Sequence, residues 1–193
     1  VVATALRVKQ KREGKAMLID ALIHTLQKSE DIAAFWGKLD AGADAGMGIA
    51  ASARPFMVAG RFARTPQPTL VVVAGEEAAG DFARNVGAYI GEERVLRFFE
   101  RTDTPFGSTE TNPHQVACRM AALDALTSNR DAIVVASARS LIRTLVPGGD
   151  FYKPVVFTVG MEVGDSNGEG ISDFESATKA LVKAGYEDTS TLE

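Results

Sequence analysis

Apolar and polar positions alternate along this chain in two rhythms, one of period 3.6 and one of unbroken β-branched runs. Ile19, Leu22, Ile23 and Leu26 fall at i, i+3, i+4 and i+7, the stripe of an amphipathic helix. Ser29 then offers an N-cap, with Glu30 and Asp31 suited to the positive helix end. Ile32, Phe35, Trp36 and Leu39 repeat the stripe, so a helical hairpin is expected, with Trp36 in its core. After the small-residue loop "AGADAG" the spacing predicts a helix over 53–64, with Pro55 tolerated in its first turn. "TPQP" breaks that helix, and "TLVVVA", 69–74, reads as a strand buried on both faces. Residues 76–90 are expected to be helical, with Ala79, Phe82, Val86, Tyr89 and Ile90 on one face and Gly91 as the stop. "RVLRFF", 94–99, is a second strand, followed by the loop "ERTDTPFGSTET". Asn112-Pro113 is a cap followed by a first-position proline. Its helix is expected to run to about Thr127, with Val116, Met120 and Leu123 facing inward. "AIVVAS", 132–137, is a third buried strand, and a short helix over 138–145 ends before Pro147-Gly148-Gly149.

Helices alternating with short apolar strands predict an α/β fold: a three-layer arrangement with a mainly parallel sheet flanked by helices. Beyond residue 150 the texture changes. "PVVFTVGMEV" reads as a strand, "DSNGEG" as a turn-rich loop, and Ser172 caps a helix over 173–184 with Phe174, Ala177 and Leu181 inward. The organisation expected is therefore an extension over 1–16, a domain over 17–149, and the start of a second small α+β domain over 150–193. Met17 is read as the natural start, Leu192-Glu193 as a cloning scar, and the whole as a fragment.

Composition narrows the class without naming it. Apolar residues make up 46% and charged residues 24% of 193 residues, ordinary for a globular chain. No apolar run approaches the roughly 18–20 residues of a membrane span, and the charged stretch 7–15 lacks the apolar segment and small-residue cleavage site by which a signal peptide would be expected. A single cysteine, Cys118, cannot form an internal disulfide, so a cytoplasmic protein is expected. The net charge of −4 gives no overall attraction for nucleic acid or anionic lipid. The basic stretch Arg7, Lys9, Lys11, Arg12, Lys15 reads as a solvated tail or helix face.

The segment that raises a chemical question is "GMGIAASA", 46–53. It has the length and position of a phosphate-binding loop, G-x-x-x-x-G-K-[ST]. Such a loop needs glycines to curl backbone N–H groups round phosphates, a lysine for the β/γ-phosphates and a hydroxyl for Mg²⁺. With Gly46 (and Gly48) at its start, the register puts Ala51 at the second glycine, Ser52 at the lysine and Ala53 at the hydroxyl. Ala51 resists a positive φ, Ser52 carries no charge and Ala53 offers no metal ligand. ATP binding at these residues is not expected. His24 and His114 lie far apart, and no Cys/His/Asp cluster has metal-ligand spacing. Both histidines read as surface residues. Cys118 has no histidine–carboxylate partner that would make it a nucleophile. Asp103, Asp124 and Asp131 read as loop, surface and turn residues, and "DSNGEG" lacks the spacing of a calcium loop.

These pieces, in this order, resemble the N-terminal region of the bacterial transcription-repair coupling factors, the Mfd family. "GMGIAASA" stands where the related excinuclease subunit UvrB has an intact phosphate loop. "TLVVVAGEEAAGDFARNVGAYIG" resembles the strand and helix that follow. "VLRFFERTDTPFGS" is similar to the family's strand and its W-E-T-L-P-[YF] loop, although here Glu100-Arg101 replaces Trp-Glu and Thr104 replaces leucine. In "NPHQVACRMAALDAL" Arg119, Met120 and Leu123 match the family's helix pattern. "RDAIVVASARSLIRTLVP" resembles a strand and short helix of both families, and "FTVGMEV…ALVKAGYEDTSTLE" resembles the start of a UvrB-interaction domain. The order of the stretches, more than any one of them, carries the resemblance.

The resemblance implies a degenerate RecA-like fold, similar to UvrB domain 1a, that has lost its ATPase. In that family the module recruits UvrA and restrains an ATP-dependent DNA translocase until RNA polymerase is engaged. ATP, Mg²⁺, DNA and polymerase then belong to other domains, and this stretch has no cofactor or catalytic residue of its own. The family's UvrA-contact segment, R-G-G-x-x-D-x-[FY]-P, would start beyond Glu193, so no contact residue is assigned here. Two other readings stay open: the amino-terminal part of an active UvrB-like ATPase, or a small α/β enzyme with an atypical phosphate loop. For the last, Ser52 has no visible base and no G-x-S-x-G elbow. Nucleotide binding separates the first reading from the other two.

Overall fold

A computed structural model describes residues 21–26, 28–101, 112–142, 145, 178–179 and 181–182. The chain divides into two compact units, Val1–Thr144 and Leu145–Glu193. In the second, residues 178–179 and 181–182 are helical. The expectations for 1–16 and Met17, for the loop at 102–111, for the strand and turn-rich loop after 150, and for Leu192-Glu193 lie outside the described residues.

The first unit opens with helical residues 21–26 (α1), then α2 (Glu30–Asp40) and, after a loop, α3 (Arg54–Arg64). β1 (Thr69–Val73), α4 (Glu76–Ile90), β2 (Val95–Phe98), α5 (Pro113–Thr127) and β3 (Ile133–Ser137) follow. Short 3-10 turns precede α3 and β2 and follow β3. The last of these, Arg139–Leu141, is what stands in the expected helix 138–145. Its backbone hydrogen bonds close i+3 rings only: Leu141 N to Ala138 O, and Ile142 N to Arg139 O.

The three strands form a parallel sheet in the order β1-β3-β2. β3 is central and wholly buried, as its run of Ile133, Val134, Val135 and Ala136 requires. Register places Val71, Val73, Ile133, Val135 and Val95 on one face. There they meet Ala59 and Phe62 of α3 and Ala79 and Val86 of α4, forming the main core. The other face carries Leu96 and Phe98 of β2, and Arg119 of α5 lies over Phe98. Helices therefore flank the sheet on both faces, and the first unit is an α/β fold.

Two burial expectations fail. β1 is not buried on both faces: Leu70 and Val72 are 46% and 51% exposed. Among the described strands β1 lies at the edge, and α5 covers the β2 side of that face, so a run that looks core-like from its sequence is half open. On α5 the buried positions are Arg119, Ala122, Leu123 and Ala125, while Val116 and Met120 are exposed. Arg119 takes the inward position because it has an aromatic ring and a carbonyl to meet there, described below.

α2 docks on α3 through Trp36, which is 1% exposed. Gly60 makes room for it: a Cβ there would stand 3.4 Å from the indole Cη2. Asp40, at the end of α2, accepts from Arg61 and Arg64 of α3, each at 2.6 Å. The Arg64 guanidinium also lies 5.7 Å from the Trp36 ring centroid. Ser29 occupies the N-cap position of α2 with extended φ/ψ, but its side chain makes no capping bond. Its carbonyl accepts from Ala33 N at 2.9 Å.

Candidate functional site

The phosphate-loop-like segment lies open between α2 and α3. Gly46, Gly48, Ala51 and Ser52 are exposed and Ala53 is half-buried. Neither glycine has a positive φ, and a Cβ on either would meet nothing within 4 Å. The conformation therefore does not require glycine, unlike a nest that wraps a phosphate. A phosphate loop also joins a strand's carboxyl end to a helix; this segment follows α2, with extended coil between, and passes through a 3-10 turn at Ala51–Ala53. The start of α3 sits beside the last turn of α4, where Phe56 and Tyr89 pack with ring centroids 5.2 Å apart.

A different constellation gathers at the carboxyl ends of the strands, where open α/β sheets place their ligands. Glu76 opens α4 directly after β1 and Gly75. Its Oε1 accepts from the Ser137 hydroxyl at 2.8 Å and from the Glu100 backbone N–H at 3.0 Å. Its Oε2 accepts from Arg97 Nη2 at 2.8 Å. One carboxylate thus joins the end of β1 to the ends of β2 and β3. The sequence folds this way because Arg97 stands in register with Val135, on the face that α4 covers. A guanidinium turned into that layer needs a carboxylate, and the first turn of α4 supplies one. Glu76 is 32% exposed and Arg97 20% exposed as side chains. The geometry therefore describes a partly screened ion pair, open to solvent along one side.

The donors are themselves held. Ser137 is wholly buried, and its Oγ accepts from Ser140 N–H at 3.1 Å, which turns the hydroxyl hydrogen toward Glu76. Ser140 Oγ in turn donates to Ser137 O at 2.7 Å. Arg97 Cζ lies 4.4 Å from the Phe99 ring centroid, and its Nη2 also reaches Glu76 O at 3.3 Å. Beyond this, Glu100 pairs with Arg139 at 3.2 Å.

On the opposite face, Arg119 donates to Phe99 O, with its Cζ 3.9 Å from the Phe98 ring. Two helical turns earlier Asn112 caps α5, accepting from His114 N at 3.0 Å, as its sequence position predicts. His114 and His24 are both exposed. His114 Nε2 lies 3.6 Å from Cys118 Sγ, a long contact one turn apart on the same helix. Asp124 is half-buried and accepts from Ser128 Oγ at 3.1 Å, and Asp131 is exposed in a bend. Among the described residues no group of three or more His, Cys, Asp or Glu could hold a metal ion. No described helix is long and apolar enough to cross a membrane.

Reading the sequence directs attention to 46–53 and passes over Glu76, Arg97 and Ser137. The signal was faint: a charged residue, Arg97, inside an otherwise apolar strand, and an acidic residue, Glu76, shortly after the preceding strand. Comparison with known proteins adds no family to these observations: no family model, no curated protein and no solved structure matches the chain.

Proposed function

We propose that the chain is a UvrB-like, non-catalytic module of a transcription-repair coupling factor. In this reading it recruits UvrA and restrains the translocase that acts on stalled RNA polymerase, with ATP, Mg²⁺ and DNA handled by other domains of a longer protein. Residues 17–149 correspond to a degenerate RecA-like domain 1a and 150–193 to the opening of a UvrB-interaction domain. The support for the family comes from the ordered stretches of sequence; a helix-flanked parallel sheet is compatible with it.

The observation that carries the non-catalytic part is the chemistry of 46–53. Ser52 stands at the lysine position, Ala53 at the Mg²⁺ ligand, and Gly46 and Gly48 have no positive φ. A polyphosphate would meet no lysine within 46–53 and no curled backbone nest there. Calorimetry with Mg-ATP is expected to show no binding; micromolar affinity abolished by replacing Ser52 would overturn the reading in favour of an ATPase. A pulldown with UvrA, using this chain and a version about 150 residues longer, tests recruitment. Capture by the longer version alone is expected, and capture by neither would refute the assignment.

A further inference from the structure

We propose that Arg97, Ser137 and the Glu100 backbone N–H form a carboxylate-binding cradle, which this chain fills with its own Glu76 side chain. The ligand class is the small carboxylate, of which formate is the simplest, and the cradle is closed to it while Glu76 is in place. The proposal stands on the geometry of the strand ends and is independent of the repair assignment.

The donors converge on both carboxylate oxygens from different elements. Ser137 comes from β3, Arg97 from β2 and Glu100 from just beyond β2, at 2.8, 2.8 and 3.0 Å. None is a neighbour of Glu76 in sequence; the separations are 61, 21 and 24 residues. Glu76 therefore behaves toward this cluster as a bound carboxylate that happens to be tethered. Its tether is the first turn of α4, where the free N–H groups of the helix favour the same negative charge.

The cradle is organised by contacts that do not involve the Glu76 carboxylate. Ser140 N–H orients Ser137, β3 pairing fixes the backbone of Arg97, and the Phe99 ring supports its guanidinium. Arg97 Nε is also buried without a hydrogen-bond partner among the described residues. Removing Glu76 would leave the Arg97 cation and the buried Ser137 hydroxyl without their shared acceptor, a place that a small anion would fill with matching charge. The partial exposure of Glu76 and Arg97 leaves a route for a small one.

The test compares thermal unfolding of the full chain as wild type, Glu76→Ala and Glu76→Ala/Arg97→Met, in sodium formate and in sodium chloride of equal ionic strength. Glu76→Ala is expected to unfold at a midpoint about 4 °C higher in saturating formate than in chloride. The wild type and the double variant are expected to show equal midpoints in the two salts. Should Glu76→Ala fail to fold in chloride, refolding in formate is expected to restore native circular dichroism. Equal midpoints for Glu76→Ala in both salts, no recovery in formate, or an equal formate shift in all three proteins would each overturn the proposal.

Discussion

Gly80 and Arg97 touch across the interface of α4 and the sheet: a Cβ on Gly80 would stand 3.0 Å from Arg97 Nη1. Gly80 lies inside α4, past its first turn, where glycine costs about 1 kcal/mol relative to alanine. That cost is accepted where the Arg97 guanidinium passes close to the helix backbone while it reaches Glu76. Gly80→Ala is therefore expected to gain little or no stability in urea unfolding. In an Arg97→Met background the same change is expected to recover its full ~1 kcal/mol. Equal gains in both backgrounds would refute the contact.

Gly60 faces Trp36 with slightly more room. A Cβ at 3.4 Å is an ordinary contact, so Gly60→Ala should add helix propensity without displacing the indole. The expected outcome is a stabilisation of up to about 1 kcal/mol. Gly60→Val should instead overpack the site and cost about 1–3 kcal/mol. Trp36 is the chain's one tryptophan, so the fluorescence emission maximum reads the same event: unchanged for alanine, red-shifted for valine.

Asp40 holds two arginines with one carboxylate, at side-chain exposures of 32% for Asp40 and 14% and 36% for Arg61 and Arg64. Screening by solvent limits what such pairs contribute. Asp40→Asn is expected to destabilise by about 1 kcal/mol at low salt, and the difference should shrink in 1 M NaCl. A loss independent of salt would point to packing of the α2–α3 junction instead.

Arg119 is 8% exposed, lies over Phe98 and donates to the Phe99 carbonyl. Arg119→Met keeps the volume and loses the charge-assisted bond, at an expected cost of about 2–3 kcal/mol. Arg119→Lys should recover less than half of it, because an ammonium neither stacks flat nor presents a fork of donors. Equilibrium unfolding of the two variants decides the point.

The elements were legible wherever periodicity was strong. α4, bounded by a strand and Gly91, spans 76–90 both as read from its pattern and in the structure, and Asn112-Pro113 marks the start of α5. What the pattern did not carry is which neighbour covers each face. β1 and β3 are both rich in β-branched residues, yet among the described strands one is at the edge and the other at the centre, and order in a sheet is a tertiary fact. The inward face of α5 was displaced for a related reason. Arg119 counts as polar in a periodic pattern, but Phe98 and the Phe99 carbonyl give it partners when it is buried at that place. The site was missed on the same grounds: Glu76, Arg97 and Ser137 have no shared motif and meet only once three strands are in register. The loop at 46–53 was conspicuous by motif, and its open glycines are the part only coordinates reveal.

The half-open edge at β1 has a consequence for handling the protein. Val71 and Val73 hold the strand to the core while Leu70 and Val72 face outward, beside an outer rim that no described strand pairs. A β-branched rim of this kind can template growth by strand addition, which proteins commonly blunt with charge. Light scattering during slow heating should therefore show association that begins before global unfolding and rises with concentration. Val72→Lys, placed on the outward side, should delay its onset while leaving the unfolding midpoint within a few degrees.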